Sequence, residues 1–318
     1  MGKKRNKKKQ RMKIIRSVIT LCIVILLGLF SIILKPWENL GQNADVGNTD
    51  NLDPNQLQVH YIDVGQADAI LIRVPTENGM QNVLIDAGTA TGYPAKTITQ
   101  YLGNLGIETI SYMIITHPHL DHAGAADEVI EEFQVENLIL SEFTSEHTGK
   151  AFWKNMFEAM DAKNLEYTTG EIGDTYQIGE ASFEILGPVD PSKVKDTNDY
   201  SLVIRMDYGE TSFLFTGDAE EASEKEMLKA NASSKFKCDV LKVGHHGSDS
   251  STSEAFLTAV NPALAIIQCG EGNDYGHPKP SILERLTNAN VEILRTDLEG
   301  TIIICSDKQE VKRYTPSN

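Results

Sequence analysis

The sequence predicts an α/β chain in two parts: one transmembrane helix, then a four-layer αββα body of two sheets with helices on both outer faces. Three observations predict it. Short β-type runs crowd the first part of the body, and strands alternate with helical stretches in the second. The chain has 318 residues, 41% apolar and 23% charged, enough to bury one large or two ordinary cores. Near the N-terminus nine Lys/Arg between Lys3 and Arg16 precede an uncharged apolar run of 18 residues, 17–34. A helix of about that length crosses a bilayer core of roughly 30 Å.

Taken in order, residues 1–16 form a basic tail and 17–34 the anchor. The bases lie N-terminal to the apolar run, which places the tail in the cytosol and the rest outside. The chain is therefore expected in the cell membrane, single-pass, with an extracellular C-terminal domain and the bilayer as partner of 17–34. A cleaved signal peptide fits less well: the apolar run is long, and no small-x-small site precedes Lys35-Pro36-Trp37. Cys22 lies mid-run, where a lipoprotein cysteine would not. Residues 35–56 are almost devoid of apolar side chains and read as a flexible linker. The body, 57–318, begins with strands at 57–64, 69–74 and 82–87. A helix at 95–106 ends in glycine, and a strongly apolar strand follows at 109–117. Then come a helix at 125–133, a strand at 136–141 and a helix at 150–163. Hairpins occupy 176–187 and 201–217, the second turned at Tyr208-Gly209-Glu210. An acidic helix at 219–230 precedes strands at 238–244, 263–270, 291–296 and 301–306, with helices at 252–260 and 280–290.

Charge and cysteine usage narrow the function. Residues 1–35 hold ten of the 29 Lys/Arg and no acid, leaving 19 bases against 45 acids, a net −26 on the remainder. So acidic a body excludes non-specific nucleic-acid binding through a basic surface. Four cysteines, none in CxxC spacing, exclude a disulfide framework and a zinc ribbon. Cys238, Cys269 and Cys305 fall in apolar strands and read as core residues.

Of eight histidines, five fall in two short clusters. The first is His117-Pro118-His119-Leu120-Asp121-His122, at the end of an apolar strand. Three imidazoles and a carboxylate this close are costly to bury alone and are stabilised on one or two divalent metals. The second is Val243-Gly244-His245-His246-Gly247, again after an apolar strand. Between them Asp218 follows the strand of FTGD (215–218). Alone it reads as a helix cap; beside the histidines it reads as a carboxylate shared by two metals. Asp63 and Asp68 flank a Gly65-Gln66 turn, and Asp86 ends another strand. Each of the three either caps its turn or orients metal ligands. His60 and His147 fall outside every motif and are assigned no role.

HPHLDH (117–122), FTGD and VGHHG (243–247) resemble the metallo-β-lactamase-fold hydrolases. IDVGQADAILI (62–72), LIDAG (84–88), NDYSLV (198–203), LKVGHHGSDSS (241–251) and NDYGHPKP (273–280) are similar to the soluble domain of ComEC-type competence proteins and their stand-alone relatives. The resemblance spans about 57–313 and implies an αββα hydrolase with two divalent metals, zinc first and manganese as the alternative. By it, His117 and His119 hold one metal. Asp121, His122 and one of the His245/His246 pair hold the other, with Asp218 between them; His246 is preferred as ligand. A third histidine expected of the wider superfamily is absent, and Asn198 stands in its place as a weaker ligand. Asp121, His245 and His277 are the expected catalytic residues, His277 donating to a phosphoryl or leaving-group oxygen.

The resemblance implies a metal-dependent phosphodiesterase or nuclease in which a bridging hydroxide attacks phosphorus. Its substrate would be nucleic acid, a wall polymer or a lipid headgroup. The alternatives are lactam or lactone hydrolysis on the same platform, since fold alone does not choose chemistry, and a non-catalytic metal-binding accessory of DNA uptake. The topology is directly testable. Protease added to intact cells should remove the body and spare the anchor; a body digested only after lysis would reverse the orientation.

Overall fold

A computed structural model describes residues 49, 51–89, 97–143, 147 and 149–315. The predicted tail, the anchor and most of the linker lie outside the described residues. Among the described residues no helix is long and apolar enough to cross a membrane.

The first sheet holds β1 (Leu57–Tyr61), β2 (Ile70–Thr76), β3 (Gly79–Ile85), β5 (Tyr112–Ile115), β7 (Leu138–Leu140), β8 (Tyr167–Thr169), β16 (Ile302–Ser306) and β17 (Val311–Arg313). The second holds β9 (Thr175–Ile178), β10 (Ala181–Gly187), β11 (Val203–Tyr208), β12 (Thr211–Phe215), β13 (Val240–Lys242), β14 (Leu264–Ile267) and β15 (Glu292–Arg295). A two-stranded pair joins β4 (Thr109–Ile110) to β6 (Gln134–Val135). The first sheet is ordered β17-β16-β1-β2-β3-β5-β7-β8 and the second β15-β14-β13-β12-β11-β10-β9. In each, hairpins build an antiparallel half, and crossovers through helices build a parallel half. Ile85 stands opposite Ile114 and Phe215 opposite Lys242. The carboxyl ends of neighbouring parallel strands are therefore level, and the loops leaving them start side by side.

Three apolar cores make the four layers. Between the sheets, the inward faces of both interleave: Val59, Tyr61 and Ile72 meet Phe183, Phe213 and Phe215. Outside the first sheet, α1 (Thr97–Asn104), α3 (Ala126–Glu132) and α4 (Ala151–Lys163) bury Leu102, Val129 and Trp153. Outside the second, α5 (Glu221–Ala230), α6 (Glu254–Val260) and α7 (Pro280–Asn288) bury Met227, Phe256 and Ile282. Two further four-residue helices are α2 (Leu120–Ala123) and α8 (Thr296–Glu299). Cys238, Cys269 and Cys305 are buried free thiols.

The structure differs from expectation at three places. The run 109–117 is not one strand. Ser111 interrupts it, its carbonyl taken by Asn137 Nδ2 at 2.9 Å, while Asn82 Nδ2 takes the Thr109 carbonyl at 3.0 Å. Strands β8 and β17 lack the buried alternation by which strands are recognised, with every residue of β8 exposed. And His60, unassigned by motif, is fully buried beneath α1. Its Nδ1 lies 2.7 Å from Tyr101 Oη.

Burial, with Arg73 nearby, pushes the His60 pKa down to about 3. An unfolded histidine titrates near 6.5. The unfolded chain therefore takes up a proton below about pH 6.5 that the native state refuses. The stability contributed is complete above that pH and is lost as pH falls toward 3. The His60→Gln variant, compared with wild type by urea unfolding from pH 7.5 to 4, should lose stability less steeply on acidification. The difference should approach about 1.4 kcal/mol per pH unit; parallel profiles would remove His60 from the acid limb.

Candidate metal centre

The site lies where strand ends of the two sheets meet. The chain leaving β5 carries His117, His119, Asp121 and His122, the last two on α2. The end of β3 supplies Asp86, and the turn before the neighbouring antiparallel β2 supplies Asp68. From the second sheet come Asp218 after β12 and His245 and His246 after β13. Backbone bonds lock these loops together: Ala87 N–H to the His122 carbonyl at 2.7 Å, Asp68 N–H to Asp121 at 3.0 Å, and His245 N–H to Gly217 at 3.1 Å. Gly217 has φ +51°, and a Cβ there would stand 2.9 Å from Ser201 Oγ and 3.0 Å from Thr116 Oγ1. Only glycine fits, and this close approach lets Ser201 Oγ accept from Asp218 N–H at 2.9 Å.

Asp218 is the centre. Its Oδ2 lies 3.3 Å from His122 Nε2, 3.7 Å from both His245 Nε2 and His246 Nε2, and 3.9 Å from His117 Nε2. Ligand atoms of Asp121, His122, Asp218 and His246 all fall within 4.8 Å of one another. His122 Nε2, His246 Nε2 and Asp218 Oδ1 are buried without a hydrogen-bond partner. Buried polar atoms are seldom left so. Converging nitrogen and carboxylate donors with free lone pairs are what a divalent cation takes, and the residues present fit one. The electrostatics agree. Burial disfavours charge on His246, yet the carboxylates of Asp218, Asp68 and Asp121 lift its pKa to about 10. Burial likewise opposes charge on His122, and Asp218 and Asp86 raise it well above the ordinary value. Burial should raise Asp218, but its imidazole neighbours hold it well below the carboxylate range. The carboxylates thus demand positive charge at this place.

Behind the cluster a supporting layer orients the rings. Asp86 Oδ2 holds His122 Nδ1 at 2.8 Å, and the same carboxylate accepts from Thr116 N–H and Oγ1–H at 2.8 and 2.7 Å. The Gln268 carbonyl accepts from His246 Nδ1 at 3.0 Å. Asp68 Oδ1 lies 3.2 Å from the same nitrogen, and its other oxygen is ion-paired with Lys242, itself fully buried. Each such bond leaves Nε2 as the donor aimed at the cluster.

Every expected metal or catalytic residue reaches this place, in different roles. Asp121, His122, Asp218 and His246 form the closed group. His117 and His119 adjoin it, Nε2 to Nδ1 at 3.0 Å, without belonging to that group. Burial keeps both neutral, His117 most strongly. Asn198, His245 and His277 line the cavity above, with the His245 and His277 rings edge to face at 5.7 Å. Asp68 and Asp86 stand behind the rings. Asp63 is the exception among the candidates. Its carboxylate accepts from Gly65 N–H at 3.1 Å, capping the turn, and it belongs neither to the closed group nor to the converging set of Asp68, Asp86 and His122 behind it. His147 is buried, its ring 5.8 Å from Tyr200 on the turn that carries Asn198. Lys242, Glu220, Gln268 and Lys150 were missed. A lysine inside the apolar run CDVLKVG was the one signal for Lys242.

The profile of the metallo-beta-lactamase superfamily matches residues 62–271. ComE operon protein 3 of Bacillus subtilis is 33% identical over 260 residues, covering 77% of this chain and 32% of that protein. Recombination protein 2 of Haemophilus influenzae is 31% identical over 315 residues, 96% of this chain and 34% of that protein. Competence protein ComA of Neisseria gonorrhoeae is 28% identical over 90% of this chain and 38% of its own length. The chain thus spans about a third of each of these relatives. The metallo-beta-lactamase fold protein YhfI of Bacillus subtilis superposes with a TM-score of 0.52 at 11% identity, over 79% of this chain and all of that one.

Substitutions should separate ligands from supports. Asp218→Ala should abolish retention of divalent metal through dialysis, read by elemental analysis. Asp86→Ala should weaken it about 10- to 100-fold by freeing the His122 ring, while Asp63→Ala should match wild type. Undiminished metal in the Asp218 variant would overturn the cluster as the binding site.

Proposed function

We propose that this chain, a metallo-hydrolase belonging to the metallo-beta-lactamase superfamily, cleaves phosphodiesters. The cavity above the cluster carries the reading. It encloses about 480 Å³, and among the described residues the only acids on its walls are Asp121 and Asp218, both in the cluster. The remaining polar wall is Lys150, Gln66, Asn198, Tyr275 and four histidines. With a divalent cation held by those two carboxylates, the rest of the wall carries no acid, on a body with so large an excess of them, and suits an anion. A neutral lactone has no need of it.

A divalent metal held there supplies Lewis acidity toward a phosphoryl oxygen and a water acidified toward neutral pH. The protein's own groups do the rest. Lys150 meets the phosphate charge at the rim. His277 is held in the wall by Asn273, which accepts from its N–H at 3.0 Å and donates to its carbonyl at 2.6 Å. Burial, then the adjacent His245, lowers the His277 pKa to about 4. At neutral pH its ring therefore donates a hydrogen bond rather than a proton, stabilising charge on a phosphoryl oxygen.

The metal set, imidazole and carboxylate without thiolate, suits zinc and accommodates manganese. The names of the relatives, a ComE operon protein, a recombination protein and a competence protein, favour nucleic acid among diesters. On this reading the body stands outside the membrane on the 17–34 anchor, with wall polymers and headgroups as the other diesters within reach.

Turnover of bis-p-nitrophenyl phosphate should exceed that of nitrocefin and of acyl lactones, and faster lactam cleavage would overturn the assignment. Lys150→Ala should raise KM more than it lowers kcat. His277→Ala should cost about 10²-fold in kcat, alike for diesters with good and poor leaving groups. A loss confined to poor leaving groups would make His277 a proton donor instead.

A further inference from the structure

We propose that Glu220 is a positioning residue that turns His245 and Asn198 into the remaining ligands of the second metal position, the one begun by His117 and His119. The inference rests on the metal reading above. Glu220 stands at the N-cap of α5, yet its side chain makes no capping bond. Its carboxylate turns back toward the site. There one oxygen, Oε1, receives Asn198 Nδ2 at 3.2 Å and Ser250 Oγ at 2.9 Å, and lies 3.2 Å from His245 Nδ1. Its backbone N–H donates to Asp199 Oδ1 at 3.0 Å, tying it to the turn that carries Asn198.

Donor and acceptor rules then decide what each neighbour presents to the cavity. A carboxylate only accepts. Asn198 must therefore offer it the NH₂ group, leaving Oδ1 as the free atom. That Oδ1 is buried with no hydrogen-bond partner, and Asn198 lines the cavity. The Ser250 hydroxyl hydrogen is committed to Glu220, so both oxygens near His245 Nδ1, Glu220 Oε1 and Ser250 Oγ at 3.3 Å, are acceptors. The ring hydrogen therefore sits on Nδ1. The lone pair sits on Nε2, which lies 3.7 Å from Asp218 Oδ2 on the same cavity wall as His119. A zinc-type position takes about four donors. His117, His119 and Asp218 bring three, His245 Nε2 makes the fourth, and Asn198 Oδ1 adds a fifth, weaker donor where the ion expands its shell.

The test is a cobalt(II) titration of the full-length chain in detergent, followed by visible absorption and by elemental analysis after dialysis. Wild type should take up two ions. Glu220→Gln keeps the size of the side chain but can donate to Nδ1 and move the ring hydrogen to Nε2. It should weaken one ion about 10- to 100-fold, leave the other unchanged, and alter the absorption of the weakened one. His245→Ala, at a part-exposed position, should weaken the same ion, and combining it with Glu220→Gln should add little, because the two act as one unit. Two ions bound with wild-type affinity in both variants would overturn the role of Glu220 and His245 while sparing the metal reading. One ion on wild type would overturn the second position while sparing the cluster, and none would overturn both.

Discussion

The site depends on a buried carboxylate. Asp218 is 1% exposed, and an isolated carboxylate at such a place costs several kcal/mol. It is kept because four imidazoles from two different sheets surround it, two of them, His122 and His246, pushed toward the charged form, with a fully buried lysine behind. Neither sheet alone supplies this. His117 and His122 come from the first and His245 and His246 from the second, so the two layers must close on each other before Asp218 is compensated. The inter-sheet core, in which Tyr61 meets Phe215, sets the distance at which that happens.

The same constraint explains the division of labour among the acids. Asp86 and Asp68 lie behind the rings and are spent on fixing their orientation, Asp86 through Thr116 and His122, Asp68 through Lys242 and His246. Asp218 and the half-buried Asp121 face the cavity. Lys242 offsets one of these buried negative charges without entering the cavity, leaving the remainder for a bound cation. Among the described residues no other acid lines the cavity. On the reading proposed above, a strongly acidic protein thereby keeps a pocket for an anionic group.

Much of this was legible in the sequence. Apolar runs located the buried strands, and the spacing in HPHLDH with the later HHG pair located the cluster, because histidines bunched at strand ends have little other use. What escaped had no local signal. Strands β8 and β17 are polar and exposed, so nothing alternates. Ser111 breaks a run that reads as continuous, since the amides that take over its pairing lie at Asn82 and Asn137. Asp63 and Asp68 looked alike on either side of one turn. Only the fold separates them, pointing Asp68 at His246 and leaving Asp63 to cap Gly65. Glu220 is one acid among several in an acidic stretch, and its use depends on Asn198 and Ser250, distant in sequence.

Adjacent histidines ordinarily point apart, and here both reach one carboxylate because the backbone is forced out of its usual basin. His245 has φ 49° and ψ 49°, His246 φ 53° and ψ 21°, and Gly247 continues the left-handed run at φ +84°. For residues with a Cβ each such conformation costs of order 1–3 kcal/mol. It persists because both ends are held: His245 N–H by the Gly217 carbonyl, Ser248 N–H by the His245 carbonyl, and the two Nδ1 atoms by Glu220 and the Gln268 carbonyl. The turn sets the two Nε2 atoms at the same 3.7 Å from Asp218 Oδ2. One short stretch of strained backbone thus serves both sides of the central carboxylate. That is a reason for two histidines to stand in succession where the closed ligand group uses only one of them.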